Sequence, residues 1–292
     1  MDIIADREAI ENRFASLKTM AGKGELDLPQ DLIQMLHEVC QEQIRTGQGV
    51  QVHIGEEMVT PADKRASGAP LLPRGEFPID RKNARELFDS TLRIVRDTGE
   101  QLREAAEVVE KEVADLEPCW QAFLTGEDTF FARFGEKTPQ APRILNFLVQ
   151  SSLIPGLEAA GRELDSRRET EAKWEFGYCP VCASPPLMGS LRGKEGRRYM
   201  TCSFCHTDYY VPRLGCPFCM RSGQGLNYFT IKEYPGFRVD VCRECKGYIK
   251  VADFREMDRT HLPLLDDLET VGLDAAARSQ DYYRPTLSPW GF

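Results

Sequence analysis

Residues 202–219 read CSFCHTDYYVPRLGCPFC. Four of the ten cysteines fall in this stretch as two C-x-x-C pairs, whereas the first 178 residues hold only Cys40 and Cys119. Either the four thiols close around one ion, or each pair belongs to a different site, and the choice decides the fold. Two more pairs flank the stretch, Cys179/Cys182 before it and Cys242/Cys245 after it. The gaps between successive pairs are 19, 10 and 22 residues. A C-x-x-C turn presents two thiolates on one side of a tight knuckle, and two knuckles complete a tetrahedron around a metal.

Three pairings are open. First with second leaves ASPPLMGSLRGKEGRRYMT between the knuckles, which reads strand, Gly-Lys-Glu-Gly turn, strand. Third with fourth leaves MRSGQGLNYFTIKEYPGFRVDV, which reads strand, Pro-Gly turn, strand. Both match the spacing of zinc-ribbon or rubredoxin hairpins. A crossed pairing would make a RING-like brace, and pairing second with third would leave the outer pairs to find each other. The hairpins favour the sequential pairing, which turns 202–219 into a seam and HTDYYVPRLG into a ten-residue linker. Redox-active dithiols are the competing chemistry, but those usually involve one pair at a helix start. Sulfur ligands admit iron or zinc, and a closed four-thiolate site leaves no open position for hydrolysis. Pro follows the first cysteine in CPVC and CPFC, as in rubredoxin knuckles. The usual Gly after the second cysteine is replaced by Ala183, His206, Met220 and Lys246, so the backbone around the sulfurs is expected to differ.

Outside this region the chain reads as helical. Residues 3–21 place Ile3, Ile10, Phe14, Leu17 and Ala21 near one face, and Pro29 opens a second helix with Leu32, Leu36, Val39 and Cys40. Residues 47–78 lack periodicity and read as a long functional or mobile connection; they and the Trp290/Phe292 tail are candidate partner surfaces. Apolar residues at steps of four and three from Phe88 to Leu116 predict one long helix, kinked at most by Gly99. Shorter helices are expected over 119–125, 128–134 and 141–166, the last bent or split by Pro155, and another over 264–280. The fold class is therefore α+β, mainly α: a helical domain (1–172), two tandem zinc-ribbon or rubredoxin-like modules (173–212 and 213–260), and a C-terminal helix with an extended aromatic tail (261–292).

The 292-residue chain carries a formal charge of −9, yet residues 174–260 hold 13 Lys and Arg against 9 Asp and Glu. Two tetrathiolate sites filled by divalent ions, at −2 each, would cancel that local +4, which argues against nucleic acid. A zinc-ribbon nucleic-acid binder using Tyr209 and Tyr210 as stacking aromatics is the alternative, and a rubredoxin-type electron carrier is another. The mean hydropathy of −0.41 and the lack of an 18-residue apolar run predict no membrane insertion. No secretory pattern opens the chain, so the cytoplasm is the expected compartment. His206 has a ligand cysteine beside it and is expected next to the metal or at the surface. His206-Thr207-Asp208-Tyr209 lacks the nucleophile an active site needs, so no catalysis is expected. His37, Cys40 and Cys119 read as structural.

The combination GYCPVCASPP, RRYMTCSFCHTDYYVPRLGCPFC and VCRECKGYIK resembles the bacterial formate dehydrogenase accessory protein FdhE family over residues 174–250. A tail pattern of Asp274, Arg278, Tyr282, Arg284, Pro289 and Trp290 is similar more loosely. The resemblance implies a cytoplasmic maturation factor that is not itself a dehydrogenase. It implies binding to the catalytic subunit of formate dehydrogenase, which carries molybdenum or tungsten on a pterin and an iron–sulfur cluster. It further implies two metal ions, rubredoxin-like iron or zinc, held by Cys179, Cys182, Cys202, Cys205, Cys216, Cys219, Cys242 and Cys245.

Overall fold

In the computed structural model, which describes residues 7–168, 173–223 and 225–290, the chain forms two units. One comprises Ile54–Pro73 and Gly161–Ser288; the other takes the remaining described residues. Ile3 and Phe292 lie outside the described residues.

The second unit is helical. Helices α1 (Arg7–Gly22) and α2 (Gln30–Gly47) follow the expected pattern, and the α2 stripe Ile33, Leu36, Val39 and Cys40 is buried. His37 bonds Lys18 Nζ (3.0 Å) and Glu11 Oε2 (2.8 Å) and stacks on Phe14, a structural role. The predicted long helix is instead two, α4 (Arg81–Thr98) and α5 (Glu100–Glu112), with α3 (Ala62–Ala66) belonging to the other unit. Arg96 Nη1 meets Glu110 Oε1 at 3.2 Å. Fourteen residues of continuous helix would hold them about 21 Å apart, so the chain reverses at Gly99 and its apolar stripe folds onto itself. Asp80 caps α4 by accepting from Asn83 N at 3.0 Å. Helices α6 (Glu117–Thr125) and α7 (Asp128–Gly135) precede α8 (Ile144–Asp165). Pro155 does not split α8. A proline at 155 cannot donate to the carbonyl of Ser151, and Gln43 Nε2 takes that acceptor at 3.0 Å.

The first unit is built on one antiparallel-dominated sheet, ordered β3-β2-β1-β6-β5-β4. Strands β1 (Pro186–Arg192) and β2 (Arg197–Cys202) form the first expected hairpin, and β4 (Leu226–Phe229) and β5 (Phe237–Cys242) the second. Two strands depart from expectation. β3 (Asp208–Tyr210) pairs with β2, so the supposed linker carries a strand. β6 (Tyr248–Asp253) pairs antiparallel with β5 and parallel with β1, at Gly189↔Val251 to Leu191↔Asp253. The two hairpins are thereby continuous through β1 and β6. The predicted tail helix is α9 (Pro263–Glu269) and α10 (Val271–Arg278), broken at Thr270, and these pack on β1 and β5. The α+β class, mainly α, holds.

Candidate metal centres

Each C-x-x-C pair sits on the same backbone turn. The first cysteine's N–H donates to the carbonyl five residues on: Cys179 to Ser184 (2.9 Å), Cys202 to Thr207 (3.0 Å), Cys216 to Arg221 (2.8 Å) and Cys242 to Gly247 (3.0 Å). The residue after each second cysteine closes the turn with a left-handed backbone: Ala183 at φ 64°, His206 at 56°, Met220 at 62° and Lys246 at 59°. This corrects the expectation that losing Gly there changes the backbone. The glycine-like conformation is kept, at a steric cost of roughly 1–2 kcal/mol per residue.

The knuckles pair in sequence. Among the described residues two groups have sulfurs within 4.8 Å of one another: Cys179, Cys182, Cys202 and Cys205, and then Cys216, Cys219, Cys242 and Cys245. In the first, Cys179–Cys205 and Cys205–Cys182 are 3.7 Å apart and Cys182–Cys202 is 3.4 Å. In the second, Cys216–Cys245 is 3.6 Å and Cys219–Cys242 is 3.7 Å. A tetrahedron with metal–sulfur bonds of about 2.3 Å has edges of about 3.8 Å. The donor set and spacing therefore fit a four-coordinate iron or zinc ion in each group.

The thiols cannot all ionise together without a cation. Burial pushes the Cys179 and Cys202 thiols well up. Cys182 is equally buried, but S–H groups of its three neighbours stabilise its thiolate and hold it low. Backbone donors add to the cradle: Val181 N to Cys179 Sγ (3.4 Å), Phe204 N to Cys202 Sγ (3.3 Å) and Gly247 N to Cys245 Sγ (3.4 Å).

The two groups differ in access. All four sulfur residues of the first are buried, whereas Cys219 and Cys245 of the second are partly exposed. Part of the 47–78 connection covers the first group. Leu71 N and Leu72 N donate to Pro180 O and Val181 O, both at 2.9 Å, and the Tyr178 hydroxyl donates to Gly68 O at 2.8 Å. Leu71 and Leu72 are buried. Gly177 joins the two groups: a Cβ there would lie 1.9 Å from Pro217 O in the third knuckle. Its carbonyl accepts from Tyr209 Oη at 2.8 Å.

Other singled-out residues resolve plainly. His206 is buried rather than at the surface. Asp208 pairs with Arg192 and accepts from Thr201 Oγ1 at 2.6 Å. Tyr209 is fully buried, so it cannot stack a base. Burial raises the Cys40 thiol to about 12 and the Cys119 thiol to about 11, keeping both protonated. Trp290 of the tail is buried. Sequence reasoning missed a buried ionic cluster behind β6. Lys250 Nζ contacts Asp267 Oδ1 (2.8 Å) and Asp274 Oδ2 (2.6 Å), Arg284 Nη2 contacts Asp267 Oδ1 (2.6 Å), and Tyr248 donates to Asp274 at 2.7 Å. The only signal was the family-like pattern of Tyr-Ile-Lys with Asp274 and Arg284.

Four knuckles pairing in sequence across one sheet define a protein of helices and one sheet, with two tetracysteine groups that could each hold a metal ion. Residues 178–213 match the family description "FdhE, central domain", and residues 214–290 match "FdhE, C-terminal domain". Protein FdhE homolog of Aquifex aeolicus is 32% identical over 153 residues, covering 51% of this chain and 53% of that protein. Protein FdhE of Escherichia coli (strain K12 / DH10B) is 33% identical over 129 residues, covering 42% and 41%. These alignments span about half or less of the curated relatives' length. The crystal structure of the FdhE protein from Pseudomonas aeruginosa shares the fold, with a TM-score of 0.65, 20% identity and coverage of 97% and 96%. The family match lies in residues 178–290, the cysteine-rich sheet and the helices packed on it.

Proposed function

We propose that the protein is a formate dehydrogenase accessory factor, cytoplasmic and without catalysis of its own, that binds the catalytic subunit of that enzyme and is needed for its activity. In this reading the eight cysteines ligate two metal ions, iron or zinc, and the two modules meet at residues 212–213. The likeness of residues 178–290 to the two FdhE domains suggests the client. The observation that carries it is the pair of closed tetracysteine groups. Four thiolates per ion leave no position for a substrate, so the centres suit a scaffold or redox-sensing role rather than hydrolysis. The junction of the two family descriptions at 213/214 supports the module boundary. Among the described residues no helix is long and apolar enough to cross a membrane.

One observation favours electron transfer as a second reading: the partial exposure of Cys219 and Cys245 brings the second centre close to solvent. The nucleic-acid reading loses an aromatic platform with Tyr209 buried. The test is a pull-down of purified catalytic subunit by metal-loaded protein under anaerobic conditions. Saturable association is expected. No association would remove the accessory reading, and a reversible iron couple without client binding would favour the electron carrier.

A further inference from the structure

Beside the second tetracysteine group, β4–β6 and the loop leading into Cys216 enclose an open groove of about 270 Å³. Its walls are largely apolar, with Phe218, Leu226 and Ile249 at the sides, while Leu214 and Tyr228 stand 78% and 57% exposed. Three guanidinium groups, Arg198, Arg213 and Arg238, line it against a single carboxylate, Asp240.

The hydrogen-bonding balance defines what would fill it. Arg198 is buried, with Nη1 on Gly215 O (2.7 Å) and Nη2 on Asp240 Oδ2 (3.1 Å), and its Nε has no partner. Arg238 lies over the Tyr228 ring at 4.7 Å; its Nη2 donates to Asp240 Oδ2 at 3.3 Å, and its Nε is 2.8 Å from Asp240 Oδ1 without hydrogen-bond alignment. Arg213 is exposed and uses Nη1 on Glu195 O at 3.0 Å. Asp240 is thus engaged by both arginines beside it. The groove has donors to spare and its one carboxylate is occupied, on a chain whose overall charge is −9. The adjacent tetrathiolate, once filled by a divalent ion, would carry −2 on the cysteine side, so selection falls to individual donors rather than to net charge. β4, with Asn227 and Tyr228 exposed, is the edge strand of the sheet. An edge strand offers unpaired main-chain groups to an added strand.

We infer that this groove is a docking site for an extended peptide segment of a protein partner, one that carries an apolar side chain with Asp or Glu two residues to either side, on the same face of the strand, and lies along β4. The apolar side chain fills the space between Phe218 and Ile249, and carboxylates meet Arg213 and Arg238. The segment would lie beside the half-exposed Cys219/Cys245 edge of the second centre. The inference deepens the accessory-factor reading and rests on it for the identity of the partner, a segment of the client enzyme.

The test uses the full, metal-loaded chain with two probes, the purified catalytic subunit and fluorescein-labelled Glu-Ser-Phe-Ser-Glu. Arg213→Glu and Leu214→Asp change exposed side chains, and Leu287→Asp, 41% exposed and outside the groove, is the control. Both groove variants are expected to weaken both probes tenfold or more with metal content unchanged, while the control binds as wild type and a Lys-Ser-Phe-Ser-Lys peptide does not bind. Peptide binding lost in both variants, without client binding to wild type, would uphold the groove and remove the client. Client binding unaffected by both variants would overturn the groove and leave the accessory reading standing. A wild-type dimer dissociated by both variants would show a second copy as the occupant and would also overturn it.

Discussion

Lys250 sits with no exposure in the middle of β6, and its ammonium is held by Asp267 and Asp274 while Arg284 closes on the same two carboxylates. Two cations against two anions make the buried cluster neutral, and removing one partner strands a charge. Burial alone would raise Asp267, but Arg284 and Lys250 outweigh it and bring its pKa from 3.8 to about 2. A carboxylate depressed in the folded state adds stability above its unfolded pKa and loses it as pH falls through the folded value. Asp267→Asn is therefore expected to cost about 3–5 kcal/mol at neutral pH, read by denaturant unfolding. The wild-type advantage should hold down to about pH 4 and shrink towards pH 2. An advantage that instead grew on acidification would contradict the assignment. The same lysine explains why β6 was not legible in the sequence. A charge at the centre of a strand buried on both faces breaks the apolar run that marks such strands, and its counter-ions are 17 and 24 residues away.

At the scale of elements, local chemistry was readable and chain reversals were not. The hairpins β1–β2 and β4–β5 follow from turn residues and cysteine spacing, and they led correctly to sequential grouping of the knuckles. The stripe from Phe88 to Leu116 was also real, but a stripe buried against its own continuation has the same periodicity as one along a straight helix. Contacts such as Arg96–Glu110, made across the non-helical Gly99, separate the two. The knuckles show a further limit: Ala183, His206, Met220 and Lys246 look like departures from a glycine rule, yet the turn imposes glycine-like geometry on them. Ala183 has no polar side chain to compensate. Ala183→Gly is expected to stabilise the protein by roughly 0.5–1 kcal/mol, the steric relief exceeding the entropy lost by glycine. Thermal melts of the metal-loaded protein measure it, and a lowered melting temperature would mean that the left-handed turn is not strained.

At the scale of the molecule, the sheet gives its two centres different surroundings. The first is buried and covered by residues 54–73, and the second is partly open at Cys219 and Cys245. Ligand exchange at a thiolate site requires the incoming chelator to reach the ion or its sulfurs. Excess chelator is expected to remove one ion per chain at least tenfold faster than the other, and Cys242→Ser should abolish the fast phase. Equal rates, or a fast phase that survives Cys242→Ser, would show that exposure does not govern release. Nothing in residues 54–73 announces this cover in sequence, because its contacts are main-chain bonds to Pro180 and Val181, more than a hundred residues away.

The central claim is that the eight cysteines form two separate sites, divided within residues 202–219. Native mass spectrometry of the anaerobically purified full chain tests it directly, comparing wild type with Cys205→Ser, Cys219→Ser and the double variant. The account predicts two ions in wild type, one in each single variant and none in the double variant. One ion in wild type, or the same single ion lost whether Cys205 or Cys219 is changed, would contradict it.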